Sequence, residues 1–126
     1  MLKFTDALLG EHAVLYTLFD EIEKIATQAS VTAELRAAGH LVVSALISHA
    51  KIEEEILFPA LEIHLGPMGP LSVMRAEHEE IENLCESLLS EADFVQARGV
   101  LNSLLDITRN HFVKEEHALF AMAQEC

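Results

Sequence analysis

The chain has 126 residues, 51% of them hydrophobic, which suffices for the core of one small domain and leaves no room for a second. Its formal net charge of -13 argues against nucleic acid or an anionic membrane surface as a partner, because both would repel it. Cys85 and Cys126 form no Cys-x-x-Cys motif, no run approaches the ~20 apolar residues of a membrane span, and no secretory signal is apparent. We therefore expect one cytoplasmic domain over residues 1–126.

Apolar residues recur at three- and four-residue steps along most of the chain, and strand signals are absent. The pattern predicts a first helix over about residues 3–28, a second from Thr32 and a third from Pro70. A capping box at Ser90-x-x-Asp93 is expected to open a fourth. Pro59 should end or kink the second helix, because the residue before proline is pushed out of the α region. Four helices with short connections predict an all-α, antiparallel up-down-up-down four-helix bundle.

Two segments of the second and fourth helices carry the same unusual pattern, His49–Phe58 and His111–Phe120. Each begins with a histidine, has glutamates four and five residues later, and ends with Leu-Phe. Since residues four apart share one helix face, each segment offers an imidazole and a carboxylate as a pair of metal ligands. One such pair in a glutamate-rich helical protein is more often a solvated hydrogen bond. A Glu-His dipeptide precedes each segment, so the two halves of the chain are related repeats.

Each predicted helix presents one histidine at a similar height, calculated from a rise of ~1.5 Å per residue. At ~100° of rotation per residue, the glutamates four residues after a histidine lie ~40° from it, whereas Glu54 and Glu116 lie ~140° away and are expected to point elsewhere. Burying these side chains without a metal would be costly. The predicted metal ligands are His12, His49, Glu53, His78, His111 and Glu115.

Several other residues lie near this set in sequence or share a helix face with it. Glu82 shares the face of His78, and could fill an open metal position, hold a ligand through the second shell, or be solvated. Tyr16, four residues after His12, could ligate, hydrogen-bond near the metal, or lie at the edge of the core. Cys85 is interpreted as a small buried apolar residue. The remaining histidines are badly phased or lie in the linker after Pro59, and are expected at the surface or in packing: His40, His64 and His117.

Imidazole and carboxylate donors without thiolate suit iron, manganese or zinc. Two carboxylates shared by four imidazoles suggest two metal ions, bridged by Glu53 and Glu115 and by an oxide or hydroxide. Each ion would be about five-coordinate and keep an open position for a small ligand. Ferritin-like carboxylate proteins, the main competing class, require Glu-x-x-His pairs, and no histidine here has a glutamate three residues before it.

These motifs, together with Phe58-Pro59, resemble the hemerythrin-like, HHE cation-binding domain family over nearly the whole chain. The resemblance implies a non-haem di-iron centre in a four-helix bundle, with the six residues above as ligands and manganese or zinc less favoured than iron. Oxygen-carrying hemerythrins have a histidine and an aspartate where this chain has Glu82 and Glu116. These departures move the chain toward the branch that includes iron-sulfur cluster repair proteins, although those carry an additional small N-terminal domain and this chain begins directly with helix 1.

The expected function is therefore binding of iron and of a small molecule, such as dioxygen, nitric oxide or peroxide, for sensing, storage or stress response. The alternatives are a di-iron oxidoreductase that decomposes peroxide or reduces nitric oxide with a redox partner, a protein related to iron-sulfur cluster repair, and a structural bundle with adventitious metal. No further acid or base stands out at the site, which favours binding over catalysis.

Overall fold

A computed structural model describes residues 4–125, which form four long helices. Helix α1 is Phe4–Gln28 and α3 is Pro70–Ser90. Helices α2 and α4 each contain a short π-helical turn. Helix α2 runs as Thr32–Ile52, the π turn Glu53–Leu57 and Phe58–Leu65, and α4 as Phe94–Lys114, the π turn Glu115–Leu119 and Phe120–Glu125. Residue 3, the expected start of α1, and Cys126 lie outside the described residues.

The four helices pack as a closed square in which α1 contacts α2, α2 contacts α3, α3 contacts α4 and α4 contacts α1. Short connections make sequential helices antiparallel, which confirms the predicted bundle. The turn between α2 and α3 contains Gly66 and Gly69 with φ of 76° and 74°, in the left-handed region that glycine adopts without strain. At the far end, Gly39 lets α2 approach α3, since a Cβ there would lie 3.0 Å from Leu88 Cδ2.

One sequence-based expectation about helix ends is wrong, and of the two outcomes expected at Pro59, an end or a kink, the end is excluded. Asp93, not Ser90, caps α4, because its carboxylate accepts the Gln96 backbone N–H at 2.9 Å while the Ser90 hydroxyl donates to carbonyls of its own helix. Pro59 does not end α2, which continues to Leu65. The proline is the second residue after the π turn, near the start of a new α-helical segment, where a missing N–H is tolerated.

The apolar core is divided into two clusters. The larger includes Phe19, Ile22 and Leu101 and fills the half of the bundle toward the α1–α2 turn. The smaller includes Phe58, Leu61 and other buried residues near the opposite end. A layer of buried histidines and glutamates lies between the two clusters. No helix within residues 4–125 is long and apolar enough to cross a membrane.

Candidate metal centre

The structure brings the six predicted ligand residues together in the centre of the bundle, and all six side chains are buried. They form two overlapping groups whose candidate ligand atoms lie within 4.8 Å of one another. One group takes its histidines from α1 and α2 and the other takes them from α3 and α4, while Glu53 and Glu115 belong to both. The groups are His12, His49, Glu53, Glu115 and Glu53, His78, His111, Glu115.

Distances between the donor atoms suit metal coordination. Two ligands at ~2.1 Å from one ion and at right angles to each other are ~3 Å apart. The Nε2 atoms of His12 and His49 are 2.8 Å apart. Nε2 of His111 lies 3.1 Å from Glu115 Oε2, and Nε2 of His78 lies 3.2 Å from Glu53 Oε1. Glu115 Oε1 also lies 3.2 Å from Nε2 of His12, and Glu53 Oε2 lies 3.5 Å from Nε2 of His49. Each glutamate therefore approaches histidines of more than one helix, as a bridging carboxylate must.

Several donor atoms in this layer are buried without a hydrogen-bond partner among the described residues. They are both carboxylate oxygens of Glu53, both of Glu115, and Nε2 of His111. A buried carboxylate without compensation is destabilising by several kcal/mol, whereas coordination to cations would satisfy these oxygens. Four imidazoles and two carboxylates without thiolate are the donors that first-row divalent metals accept. The residues present thus fit a pair of metal ions.

The outer nitrogen of each histidine faces a second carboxylate, supplied by a neighbouring helix. Helix α1 supports the histidine of α2, α2 that of α3, α3 that of α4, and α4 that of α1. The Nδ1 to carboxylate oxygen distances are 2.6 Å for His49 and Glu11, 3.0 Å for His78 and Glu54, 2.8 Å for His111 and Glu77, and 2.8 Å for His12 and Glu116. We assign the ring proton to Nδ1, which donates outward and leaves Nε2 to bind a cation.

The four supporting carboxylates, Glu11, Glu54, Glu77 and Glu116, form an outer ring around the histidines. This outer ring corrects the expectation that Glu54 and Glu116 point elsewhere. Neither belongs to the two central groups, but each turns to the histidine of a neighbouring helix. The rotation of ~140° relates each glutamate only to the histidine of its own helix, and it contains no information about contacts across helices. The repeat contained the signal, because Glu-His and Glu-Glu recur in both halves.

The π turns position Phe58 and Phe120 against histidines of the candidate site. In each turn the N–H of Phe58 or Phe120 donates to the carbonyl of the glutamate five residues before it. This wider turn brings a phenylalanine that an α-helix would rotate away onto the buried face. Phe58 and Phe120 then pack against His78 and His12, with ring centroids 5.2 and 5.3 Å apart. The second turn has no proline after it, so Pro59 is not the cause of the first.

Tyr16 supports the outer ring. Its hydroxyl donates to Glu116 Oε2 at 3.0 Å, and it is not part of either central group among residues 4–125. Burial raises the pKa of the Tyr16 phenol above its usual value of 10.0, and the Glu116 carboxylate raises it further. The side chain therefore remains a neutral donor.

Glu82 lies outside both central groups in the part of the chain that the structure describes. Its side chain is exposed and lines a surface groove of about 400 Å³ between α2 and α3. Cys85 is buried in the wall of the same groove. Burial raises the pKa of this thiol to about 11, and Glu82 adds to the effect, so the thiol stays protonated near neutral pH. The three histidines expected outside the site, His40, His64 and His117, are all exposed.

The central charges depend on one another. Burial raises the pKa of the Glu115 carboxyl, but the close approach of His111 and two other histidines outweighs it and holds the pKa well below its usual range. Burial lowers the pKa of His78, yet the two central glutamates raise it overall from 6.5 to about 10. Glu115 and His78 therefore stabilise each other's charged forms.

Comparison with known proteins agrees with this architecture. The family described as Hemerythrin HHE cation binding domain matches residues 3–123. The iron-sulfur cluster repair protein YtfE of Enterobacter sp. (strain 638) is 31% identical over 117 residues, covering 82% of this chain and 53% of that protein. YtfE of Escherichia coli O157:H7 is 33% identical over 91 residues, covering 62% of this chain and 41% of that protein.

The chain thus spans about half the length of the curated relatives it matches. No solved structure matches it at a significant level. The family match over nearly the whole sequence accounts for the four helices and for the donor types of the buried layer. The chain belongs to the hemerythrin HHE cation-binding domain family.

Proposed function

We propose that this domain holds two iron ions in a non-haem centre and binds a small molecule beside them. One observation carries the proposal: Glu53 and Glu115 belong to both groups of candidate ligands, as two bridging carboxylates would. His12 and His49 would complete the ligands of one ion, and the histidines of α3 and α4 those of the other.

Iron is favoured over manganese and zinc. Imidazole and carboxylate donors accept all three metals, so the donor set alone does not choose among them. The relatives carry names that refer to iron-sulfur clusters, which supports iron for this chain. An iron pair with an open position would supply a binding place for dioxygen, nitric oxide or peroxide and one-electron redox chemistry.

The protein's own residues prepare that site. The outer carboxylates orient the imidazoles and keep their protons on Nδ1, and the two apolar clusters shield the layer from water. Binding for sensing, storage or stress response suits a site in which the buried acids and bases are all used as ligands or as supports. The proposal places this activity in the cytoplasm, without nucleic acid or membrane binding, in keeping with the net charge of -13, and a redox partner is required only if the centre turns over.

A second candidate is a role related to iron-sulfur cluster repair, favoured by the 31–33% identity to proteins of that name. A third, a di-iron oxidoreductase that consumes peroxide or nitric oxide, would use the same open position.

Metal analysis and absorption spectroscopy of aerobically purified protein test these proposals. We expect about two irons per chain and a spectrum that changes after reduction and exposure to oxygen, nitric oxide or peroxide. A reversible change supports binding or sensing, while sustained consumption of peroxide or nitric oxide supports catalysis. Protein that takes up no iron under these conditions would refute the proposed centre.

A further inference from the structure

A small cavity of about 30 Å³ lies at the candidate metal centre. One side of its wall consists of candidate ligands, namely Glu53 and the histidines His49, His78 and His111. A water molecule needs about 10–15 Å³ measured in this way, so the cavity has room for about two or three non-hydrogen atoms.

The cavity is also lined by residues that are not candidate ligands. Its remaining wall comes from side chains that donate nothing to a metal, including Leu46, Ile81 and Phe112, and from one hydroxyl, that of Thr108. An apolar wall with one polar group is typical of a site for a small, weakly polar molecule.

Thr108 is the unexplained member of this wall. The residue is fully buried, at 0% exposure, and its Oγ1 has no hydrogen-bond partner among the residues that the structure describes. Threonine hydroxyls within helices ordinarily donate to a carbonyl one turn back, as those of Thr17 and Thr27 do here. A buried hydroxyl without a partner is destabilising by about 1–3 kcal/mol.

The position of Thr108 explains how its hydroxyl reaches the site. Thr108 lies three residues before His111, on the same face of α4 and one turn away. The corresponding residue of the first repeat, three before His49, is Leu46. The hydroxyl is therefore an addition to one half of the repeat and is not required by the shared ligand pattern.

From the cavity and this unpartnered hydroxyl we propose that Thr108 donates a hydrogen bond to a diatomic or triatomic molecule, such as nitric oxide or azide, held in the cavity beside the metal centre. The inference rests on the proposed metal function and adds the residue that positions the small molecule. The cavity shares Leu46, Ala50, His78 and Ile81 with the groove between α2 and α3, so the molecule enters from that groove.

The test compares Thr108→Val, which removes the hydroxyl, with Thr108→Ser, which keeps it, and with Thr27→Val as an exposed control. Iron-loaded proteins are titrated with azide and with nitric oxide, and iron per chain is measured. We expect Thr108→Val to keep its iron but bind both probes about three- to tenfold more weakly, the range of one neutral hydrogen bond. Thr108→Ser and Thr27→Val should remain within about twofold of the wild type.

Two further measurements do not depend on ligand affinity. The stretching frequency of bound azide should shift in D₂O for wild type and Thr108→Ser but not for Thr108→Val. In metal-free protein, Thr108→Val should unfold at the same temperature as wild type or a higher one, because it removes a buried hydroxyl that has no partner.

Each failure has a distinct signature. Wild-type protein without iron refutes the metal function itself. Wild-type protein that holds iron and binds azide, while Thr108→Val binds it with unchanged affinity, refutes the role of Thr108. Loss of iron from Thr108→Val also overturns the inference, because the hydroxyl would then serve the metal.

Discussion

The internal repeat relates two interfaces between neighbouring helices, which we call seams: one between α1 and α4, the other between α2 and α3. They differ in the side chains that fill them. Between α1 and α4, Phe112 stacks on His12 with ring centroids 3.8 Å apart, and Tyr16 donates to Glu116. Between α2 and α3, the position that corresponds to Phe112 is Ala50, and the one that corresponds to Tyr16 is Glu82. The first seam is filled by aromatic rings, whereas the second contains the groove of about 400 Å³.

The difference separates two properties of the site. Candidate ligands and their supporting carboxylates obey the repeat, so both halves of the metal layer are built alike. The side chains that border the layer differ between the two halves, and they leave a groove between α2 and α3. The set of candidate ligands thus follows from what the halves share, and the groove beside them follows from where the halves differ.

Removal of a bridging carboxylate should have the largest effect, because it breaks both halves together. Glu53→Ala or Glu115→Ala is expected to lose both irons, since each glutamate belongs to both groups. His49→Ala should likewise lose metal. Iron per chain, measured after purification and after reconstitution, checks this against the exposed control Glu55→Ala. A variant that retains both irons would refute its residue's assignment as a ligand.

Alkaline pH should destabilise the metal-free protein, because His78, which lines the groove between α2 and α3, loses its proton. The pKa of His78 is about 10 in the folded protein against 6.5 ordinarily, so its contribution to stability is complete below about pH 6.5 and is lost as the pH rises through about 10. We expect the free energy of unfolding of chelator-treated protein to fall by the order of a few kcal/mol between about pH 7 and 10. Urea unfolding measures this.

His78→Gln provides the control for that titration, because it lacks the group whose pKa is raised. The free energy of unfolding of this variant should change much less over the same range. An equal fall in both proteins would assign the pH dependence to other groups, such as surface lysines.

Loss of an outer carboxylate should weaken metal binding about 10- to 100-fold, and by different amounts in the two seams. Glu116 is 24% exposed and is held by Tyr16, whereas Glu54 is 50% exposed. Water can replace an exposed carboxylate more easily, so Glu116→Ala should lower iron affinity more than Glu54→Ala. Competition with a chelator measures both, and the reverse order would contradict the difference drawn between the seams.

Filling the open seam should slow entry of the small molecule. Ala50→Phe introduces the side chain that its repeat partner Phe112 already has, at the border between groove and cavity. We expect nitric oxide to associate about tenfold more slowly while iron per chain is unchanged. Stopped-flow absorption measures the rate, with the exposed Ala13→Phe as control. An unchanged rate would show that the molecule enters elsewhere.

Helical periodicity and residue spacing were sufficient to predict the bundle and to select the six residues of the buried layer. His12 and His78 have no His-x-x-x-Glu motif of their own, and helix heights alone placed them beside His49. Three- and four-residue steps describe an ideal α-helix, however, and both α2 and α4 depart from it at the ligand glutamates. Nothing in the spacing indicated these π turns, which also explain why Pro59 does not end α2.

Contacts between helices were harder to foresee. Whether Glu54 faces solvent or a histidine depends on the separation and rotation of α2 and α3, which a one-helix projection does not contain. Contacts with other helices also distinguish Thr108, because the sequence pattern alone does not separate it from an ordinary helical threonine. The groove depends on side chains at several positions of two helices, and substitutions such as Ala50 for Phe112 or Glu82 for Tyr16 do not show by themselves that an opening results.

The ring of carboxylate and histidine contacts has a consequence for local unfolding. Each helix both supplies a histidine and supports that of a neighbour, so detachment of α1 would remove His12 and would also leave His49 without Glu11. No helix of the ring can fray at this level without releasing two imidazoles. Backbone amides beside the site should therefore exchange their hydrogens as one cooperative unit across all four helices, more slowly than those near the exposed turns.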